Sequence, residues 1–532
     1  MILITSGTYL GPEFTSIFGL LPPSFLPVGN RRLFHWLGRS FGDLSESKVL
    51  TLPLDFVIPD ADQEALDQQG IEVLRLPDGL SLGSAIVYAI NVRLAFNEPV
   101  RILHGDTLCG QLEDVGLDVV LAGTTSDHYR WAQCEFDEKG TLRLKEALLT
   151  GNKVPRQVLC GYFTFSNGGQ LAKSLTSTGN DFVAGLDHYA QNYGLSVLDC
   201  PEWLDFGHVH TYYRSKARLS TERAFNSLAS TPLWIRKSSV DQTKIRAESH
   251  WYESLPPELS MFTPRYLGQE ADDPSRSTSY RLEYLYLSTL SELAVFGDLP
   301  PYSWQRIFAC IDEFMSQMRA VSAPAAHPLV TSKNYLDKTL TRLADFSRVE
   351  GLDIRKPTRF DSYALPSLEK ITEMVCSVIT DASTADTTIV HGDLCYSNIL
   401  FDPRSIQVRV IDPRGLTLDG QVSLYGDSRY DLAKLSHSVV GRYDSIIAGR
   451  YTLRRDGPLD FHLALQQKQS MDEIEHQFLN MTFAGRSPKE PWVSAMMITL
   501  FLSMLPLHYD DKDRQYALLA NALRLFADFD HF

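Results

Sequence analysis

Cysteine is scarce and unpatterned: there are seven in 532 residues, with no Cys-x-x-Cys pair and no His cluster at metal-ligand spacing. That excludes a disulfide scaffold and points to reduced thiols filling small buried spaces. Positive charge is also in deficit. Fifty Lys and Arg face 65 Asp and Glu, a formal net charge of -15. This argues against binding nucleic acid or an anionic membrane through a global field, and leaves room for a local phosphate pocket. The apolar run "MITLFLSMLPL" is too short to span a bilayer, so no membrane insertion is expected. "MILITSGTYLG" lacks a basic leader and a small-residue cleavage site. It reads as a first strand, and the expected location is the cytoplasm. No repeat or low-complexity segment stands out.

What is present is ordinary for a globular enzyme: 44% hydrophobic and 22% charged residues, in a chain long enough for two to four domains. Over residues 1 to 217 short strand-like runs ("MILIT", "KVLTLPL", "IEVLRL", "VRILHGD", "DVVLAGT", "QCEFD", "GYFTFS") alternate with helix-like ones ("RRLFHWLGRSF", "LGSAIVYAINVRLAF"). The alternation predicts a doubly wound, mainly parallel α/β sheet of GT-A/Rossmann-like type. A polar helix-like segment, "YYRSKARLSTERAFNS" over 212–227, marks a junction, giving domains 1–222 and 223–532. After it come a strand, "LWIRKSS", a helix, "TKIRAESHWYESL", and strand-like "YRLEYLYLS". Helices dominate from about 290 to 380 and again at the end, and "GQEADDPSRSTS" (268–279) reads as an exposed loop.

Between the helical stretches lies "IVHGDLCYSNILFDPRSIQVRVIDPRG", residues 389–415. Asp393 follows a His-Gly pair, Asn398 comes five residues later, and Asp412 ends the strand "VRVID". One carboxylate can orient a substrate hydroxyl and take its proton. An amide oxygen and a second carboxylate can hold magnesium on nucleotide phosphates. Upstream, Lys237 on a predicted strand and Glu248 on the next helix can form the ion pair that anchors a nucleotide. With these residues the segment resembles the aminoglycoside phosphotransferase and choline kinase family. The resemblance implies an α+β protein-kinase-like fold with an N-lobe over about 223–288 and a C-lobe over about 289–532. It implies Asp393 as catalytic base, Lys237 and Glu248 on ATP, and Asn398 and Asp412 on Mg2+. "LEYL", with Glu283 and Leu285, resembles the hinge that meets the base, and Asp431 the brace of the catalytic loop. No glycine-rich loop precedes Lys237, so Ser227 and Ser230 are expected to supply backbone and hydroxyl contacts.

"ILHGDTLCG" at 102–110 echoes the later motif. Asp106 there, the "FLPVGNRRLFHWL" segment, "LSLGSAIVYAI" with Gly83 and Ser84, and "EWLDFGHVHTYYRSKA" with Asp205 resemble, in order, the nucleotide-sugar pyrophosphorylase type of nucleotidyltransferase. The likeness implies Asp106 and Asp205 as metal ligands. It implies base contacts near Gly83 and Ser84 and phosphate contacts from Gly7 in "TSGTYLGPEF". That loop has no basic residue, and Pro23 or Ser24 stands where the family carries a lysine. Arg31, Arg32 and Lys153 are the remaining cations.

The expectation is a bifunctional enzyme. Its kinase half phosphorylates a sugar or small alcohol from ATP. Its other half joins that phosphate to a second nucleoside triphosphate such as CTP or UTP, for bacterial surface polysaccharide assembly. The alternatives are a live kinase beside a degenerate binding domain, and a non-catalytic scaffold. Cys109 and Cys395 read as space-filling residues, and "GRYTLRRDG" (449–457) as a solvated loop. The acceptor, the nucleobase and the oligomeric state are left open.

Overall fold

The computed structural model describes residues 1–127, 129–138, 142–148, 156–219, 222–223, 226–231, 233–239, 241–270, 279–466 and 469–529. The chain divides into two compact units, Met1–Leu219 and Ser220–Phe532.

In the first unit the strand Ile2–Thr5 lies between Lys48–Pro53 and Val100–His104, parallel to both, and Ile71–Leu76 continues the parallel order outward. The three inner strands are almost wholly buried. Their continuous apolar runs suit strands covered on both faces. Past Val100–His104 the pairing reverses. Arg156–Phe165 runs antiparallel to it, to Val119–Thr125 and to Arg130–Phe136, and the last forms a hairpin with Leu142–Leu148. The nine-stranded sheet is therefore mixed, with parallel order concentrated in one half. The reversed pairs join strands that are not consecutive in the chain, apart from that hairpin. Outside the main sheet a ribbon pairs Thr107–Cys109 with Trp203–Asp205.

The second unit begins with a five-stranded antiparallel sheet in which Trp234–Ser239 lies between Asn226–Ser230 and Ser279–Glu283. The helix Gln242–Ser254 packs on it, capped by the Asp241 carboxylate, which accepts from the N–H groups of Thr243 and Lys244. The helix expected through residue 227 stops at Leu219, and residues 226–230 join the sheet instead. Pairing with Trp234–Ser239 overrides the local helical pattern. Of the loop expected at 268–279, residues 271–278 lie outside the described residues.

The remaining lobe is mainly helical. Its core gathers Leu343, Phe346, Val375, Leu519 and Leu523 around the helix Pro491–Met504. The stretch Pro491–His508 is long and apolar enough to cross a membrane by length and composition, and 67% of it is buried inside this lobe. Two hairpins interrupt the helices: Pro357–Phe360 with Tyr363–Ser367, and Tyr451–Gly457 with Asp460–Leu465. The second corrects the reading of 449–457 as a loop. Its arginines are strand residues, and the Arg455 guanidinium lies 3.5 Å from the Tyr516 ring centroid.

Phe501 is fully buried in this core. Phe501→Ala is expected to cost the second unit about 3–5 kcal/mol, measured as a lowered chemical-denaturation midpoint. An unchanged midpoint would remove this helix from the core.

Candidate active sites

The second unit brings its predicted charged residues together. Lys237 is 5% exposed and Glu248 is 1% exposed. The Lys237 ammonium lies 2.7 Å from Glu248 Oε2 and 3.0 Å from Asp412 Oδ1. Burial acts against its charge, but the two carboxylates outweigh it and hold the ammonium above its ordinary value. The Tyr280 hydroxyl donates to Glu248 Oε2 at 2.7 Å. Asp412 has a left-handed backbone, φ 58°, unusual for a residue with a side chain. Its N–H donates to the Tyr252 hydroxyl at 3.2 Å.

Asp393 is fixed from three sides. Asn398 Nδ2 donates to its backbone oxygen at 2.9 Å and to its carboxylate at 3.0 Å. The Lys434 ammonium lies 2.7 Å from Oδ1. Burial pushes the Asp393 carboxyl up, and the Lys434 charge overrides it, holding the group at about 2. Asp431 braces the turn, accepting from the N–H groups of His391 and Gly392, both at 2.8 Å. Gly392 takes φ +77°, where a Cβ would meet Arg414 at 2.7 Å. His391 is fully buried; its Nε2–H donates to the Ile411 oxygen and its Nδ1 accepts from Asp393 N–H. Burial lowers its pKa to about 4, so the ring is neutral.

Sequence reasoning missed Lys434. The signal was its place three residues after Asp431 on one helix, Arg429–Val439, which puts both on the face toward the catalytic turn. Two other expected positions lie in a strand seam and in the link between lobes. The Glu283 N–H is taken by the Arg265 oxygen at 2.9 Å and its carboxylate accepts from Arg265 N–H, so Glu283 seals two strands together. The Leu285 oxygen accepts from Leu287 N–H at 2.9 Å, within the link between lobes. Ser227 and Ser230 sit in the ladder opposite Ser238 and Ile235; their side chains lie outside the described residues.

In the first unit Asp106 follows the strand Val100–His104 and Asp205 ends the strand Trp203–Asp205. Both carboxylates face Gly207. A Cβ there would lie 2.6 Å from Asp106 Oδ2 and 3.4 Å from Asp205 Oδ1. Burial first, and the Asp205 charge second, push Asp106 up to about 6. Asp205 Oδ2 also meets His208 Nδ1 at 2.8 Å, and the Tyr129 ring stacks on His208. Two converging carboxylates that repel one another fit a divalent cation. The echo of the later motif is chemical, because His104 makes no hydrogen bond through its buried Nε2.

The phosphate-loop expectations fare differently. Gly7 packs against Leu76, where a Cβ would lie 2.3 Å from Cδ1. Tyr9 in the same loop donates to Asp55 at 2.8 Å. Ser24 is buried and shares a hydrogen bond with Ser6. Arg32 is spent on Asp62 and the Phe25 oxygen. Arg31 is exposed, and Lys153 lies outside the described residues. Gly83 packs where a Cβ would strike the Asn180 oxygen at 2.3 Å, and the Ser84 N–H is taken by Ser81. These last two residues therefore start a helix and meet a neighbouring loop. All seven cysteines are free, and the sulfurs of Cys109, Cys160 and Cys200 lie within 4.8 Å of one another.

No family model matches the sequence, and no curated protein does. Solved structures do. HddC from Yersinia pseudotuberculosis is 18% identical, with a TM-score of 0.31 over 41% of this chain and 99% of its own. UDP-glucose pyrophosphorylase, solved with UDP-glucose, is 15% identical, with a TM-score of 0.30 over 42% of this chain and 98% of its own. The aminoglycoside-3'-phosphotransferase of type VIII is 13% identical, with a TM-score of 0.30 over 59% of this chain and 99% of its own. The strand orders described above are a mixed α/β sheet in the first unit and, in the second, a five-stranded antiparallel sheet followed by a mainly helical lobe.

The acidic pair gives a pH test. Above pH about 6 Asp106 is charged, and below it the group holds a proton. Because burial and then the Asp205 charge raise its pKa, stability falls as pH rises from the unfolded value toward about 6. Mn2+ is expected to raise the melting temperature more at pH 7.5 than at pH 5, and Asp205→Asn to abolish that difference. Equal increments at both pH values in the parent and the variant would refute the pairing.

Proposed function

We propose that the second unit transfers the γ-phosphoryl group of ATP to a hydroxyl of a sugar or small alcohol. The observation that carries this is the buried Lys237 ammonium shared by Glu248 and Asp412, beside Asp393 held by Asn398. Lys237 would meet the nucleotide phosphates. Asn398 and Asp412 would hold Mg2+: the Asn398 amide nitrogen is tethered to Asp393, leaving its oxygen as the ligand atom. The ion would neutralise charge on the phosphates. Asp393 orients the acceptor hydroxyl and takes its proton as the new O–P bond forms and the bond to ADP breaks. Its low pKa makes it a weak base, so positioning is its larger contribution.

For the first unit we propose a metal-dependent site, at Asp106 and Asp205, for the phosphates of a sugar phosphate and a second nucleoside triphosphate. Acting in sequence, the two units would make a nucleoside-diphosphate conjugate in the cytoplasm, for surface polysaccharide assembly. A second reading has a specific observation behind it. With Ser24 buried and Arg32 bound to Asp62, the loop around Gly7 offers no cation of its own to a triphosphate. Nucleotidyl transfer loses several kcal/mol of stabilisation without such cations. The first unit would then bind a phosphorylated sugar or nucleotide without reacting it.

Mass spectrometry of products from Mg2+, ATP, a sugar and alcohol panel and each further triphosphate separates the readings. A monophosphate that becomes a nucleoside-diphosphate conjugate supports the bifunctional enzyme, and one that goes no further supports the binding unit. Asp393→Asn is expected to lower kcat by about 10²–10⁴-fold and to leave nucleotide affinity in place. Full activity in that variant would end the kinase reading. Lys434→Met removes the charge that holds Asp393 ionised, so burial raises its pKa. The variant is expected to lose activity between pH 8 and pH 5, where the parent keeps it. Parallel pH profiles would show that Lys434 does not set the Asp393 charge.

A further inference from the structure

A cavity of about 90 Å³ opens beside the turn that holds Asp393, lined by Gly392, Arg414, Thr417, Asn334, Tyr335 and Tyr430 among others. Arg414 is the one lysine or arginine on its lining, and further cations stand close behind that lining. Arg414 follows Asp412 by two residues, and its N–H donates to the His391 oxygen at 2.8 Å. The Lys338 ammonium sits 5.6 Å from the centroid of the Tyr430 ring, against which Tyr335 stacks. Arg342 lies one turn further along the helix of Lys338, donating to the Ser503 oxygen at 2.9 Å. Lys434 completes the group on the side of Asp393.

Little negative charge answers these residues. Among the described residues neither Arg414 nor Lys338 has a carboxylate within ion-pair distance. Lys434 is matched by Asp393, and Arg342 has Asp345 nearby. Of the two aspartates on the cavity, Asp427 is spent on Arg429 at 2.8 Å, and Asp419 is exposed at the rim. The mutual effect is felt within the cluster. Burial lowers the Lys338 pKa, and Arg414, Arg342 and Lys434 lower it further; the Tyr430 hydroxyl is held below its ordinary value by Lys338, Lys434 and Arg414 against the pull of burial. Like charges gathered around one cavity in a chain of net charge -15 are costly unless an anion completes them.

We propose that the acceptor of the second unit carries a phosphate monoester of its own, held by Arg414 and Lys338 with Arg342 behind them, an inference that rests on the kinase reading. A dianion matches two unpaired cations better than a carboxylate does, and the Arg414 fork suits phosphate geometry. Anchored there, the acceptor presents a hydroxyl to Asp393. The hydroxyl oxygen bonds to the γ-phosphorus, its proton passes to Asp393, and ADP leaves. The product is a bisphosphate. An amine-bearing or neutral acceptor would leave the cations unanswered.

The probe is inorganic phosphate, titrated calorimetrically into the full-length protein saturated with Mg2+ and the non-hydrolysable analogue AMP-PNP, so that the nucleotide site is filled. One saturable site is expected, which acetate does not compete for. Arg414→Gln and Lys338→Met should each weaken it about tenfold, with AMP-PNP affinity held within about twofold. Because both substitutions lie in the second unit, phosphate bound in the first unit would not respond to them. In turnover, glycerol 3-phosphate and ribose 5-phosphate should release ADP faster than glycerol and ribose. No saturable phosphate site, a site indifferent to both substitutions, or equal competition by acetate overturns the proposal. Failure of the kinase reading shows separately, as absent AMP-PNP binding; the phosphate titration on the free protein and its variants then still decides whether the basic cluster is an anion site.

Discussion

The second unit is organised around one buried ammonium. Lys237 comes from the strand sheet, Glu248 from the helix packed on that sheet, and Asp412 from the far side of the catalytic turn. A charge so deeply buried is tolerable only while both partners are in place. The sheet, the helix and the turn therefore have one mutual arrangement that satisfies all three. Gly415 reinforces it: at φ +60° it comes so close to the helix that a Cβ would lie 2.2 Å from the Ala247 oxygen. The residue beside Glu248 and the segment after Asp412 are thereby in direct contact.

Asp393 shows the same principle with the opposite sign. Burial works against the charge of a carboxyl in that position, and Lys434 outweighs it. In the first unit no comparable cation approaches Asp106 among its described interactions. There burial, and then the Asp205 charge, raise the proton affinity of Asp106. The same chemical group is thus held ionised in one unit by a fixed ammonium and left in the other to a ligand of positive charge.

The residues that short spacing joins were legible in the sequence. Asp393, Asn398 and Asp412 lie within twenty residues, on a turn and two strands whose apolar runs are plain. Lys237 and Glu248 were legible because a strand followed by a capped helix has few ways to place them. Lys434 was hidden because its partner is 41 residues away in sequence and a single lysine on a helix reads as a solvated charge. The basic cluster was hidden for the same reason, its members being drawn from around residues 338, 414 and 434. The strands at 226–230 and 451–457 escaped notice because pairing with distant partners, not local propensity, makes them strands. At Glu283, Gly83 and Ser84 the local structure is a strand seam, a close approach and a helix cap.

His391 has a consequence for spacing. Its ring joins the Asp393 N–H on one nitrogen to the Ile411 oxygen on the other, and Ile411 adjoins Asp412. An imidazole is a rigid strut of fixed length. The separation between Asp393 and the backbone bearing Asp412 is therefore gauged by an aromatic ring and not by flexible side chains. These two carboxylates are therefore spaced by one ring, whatever cation meets them.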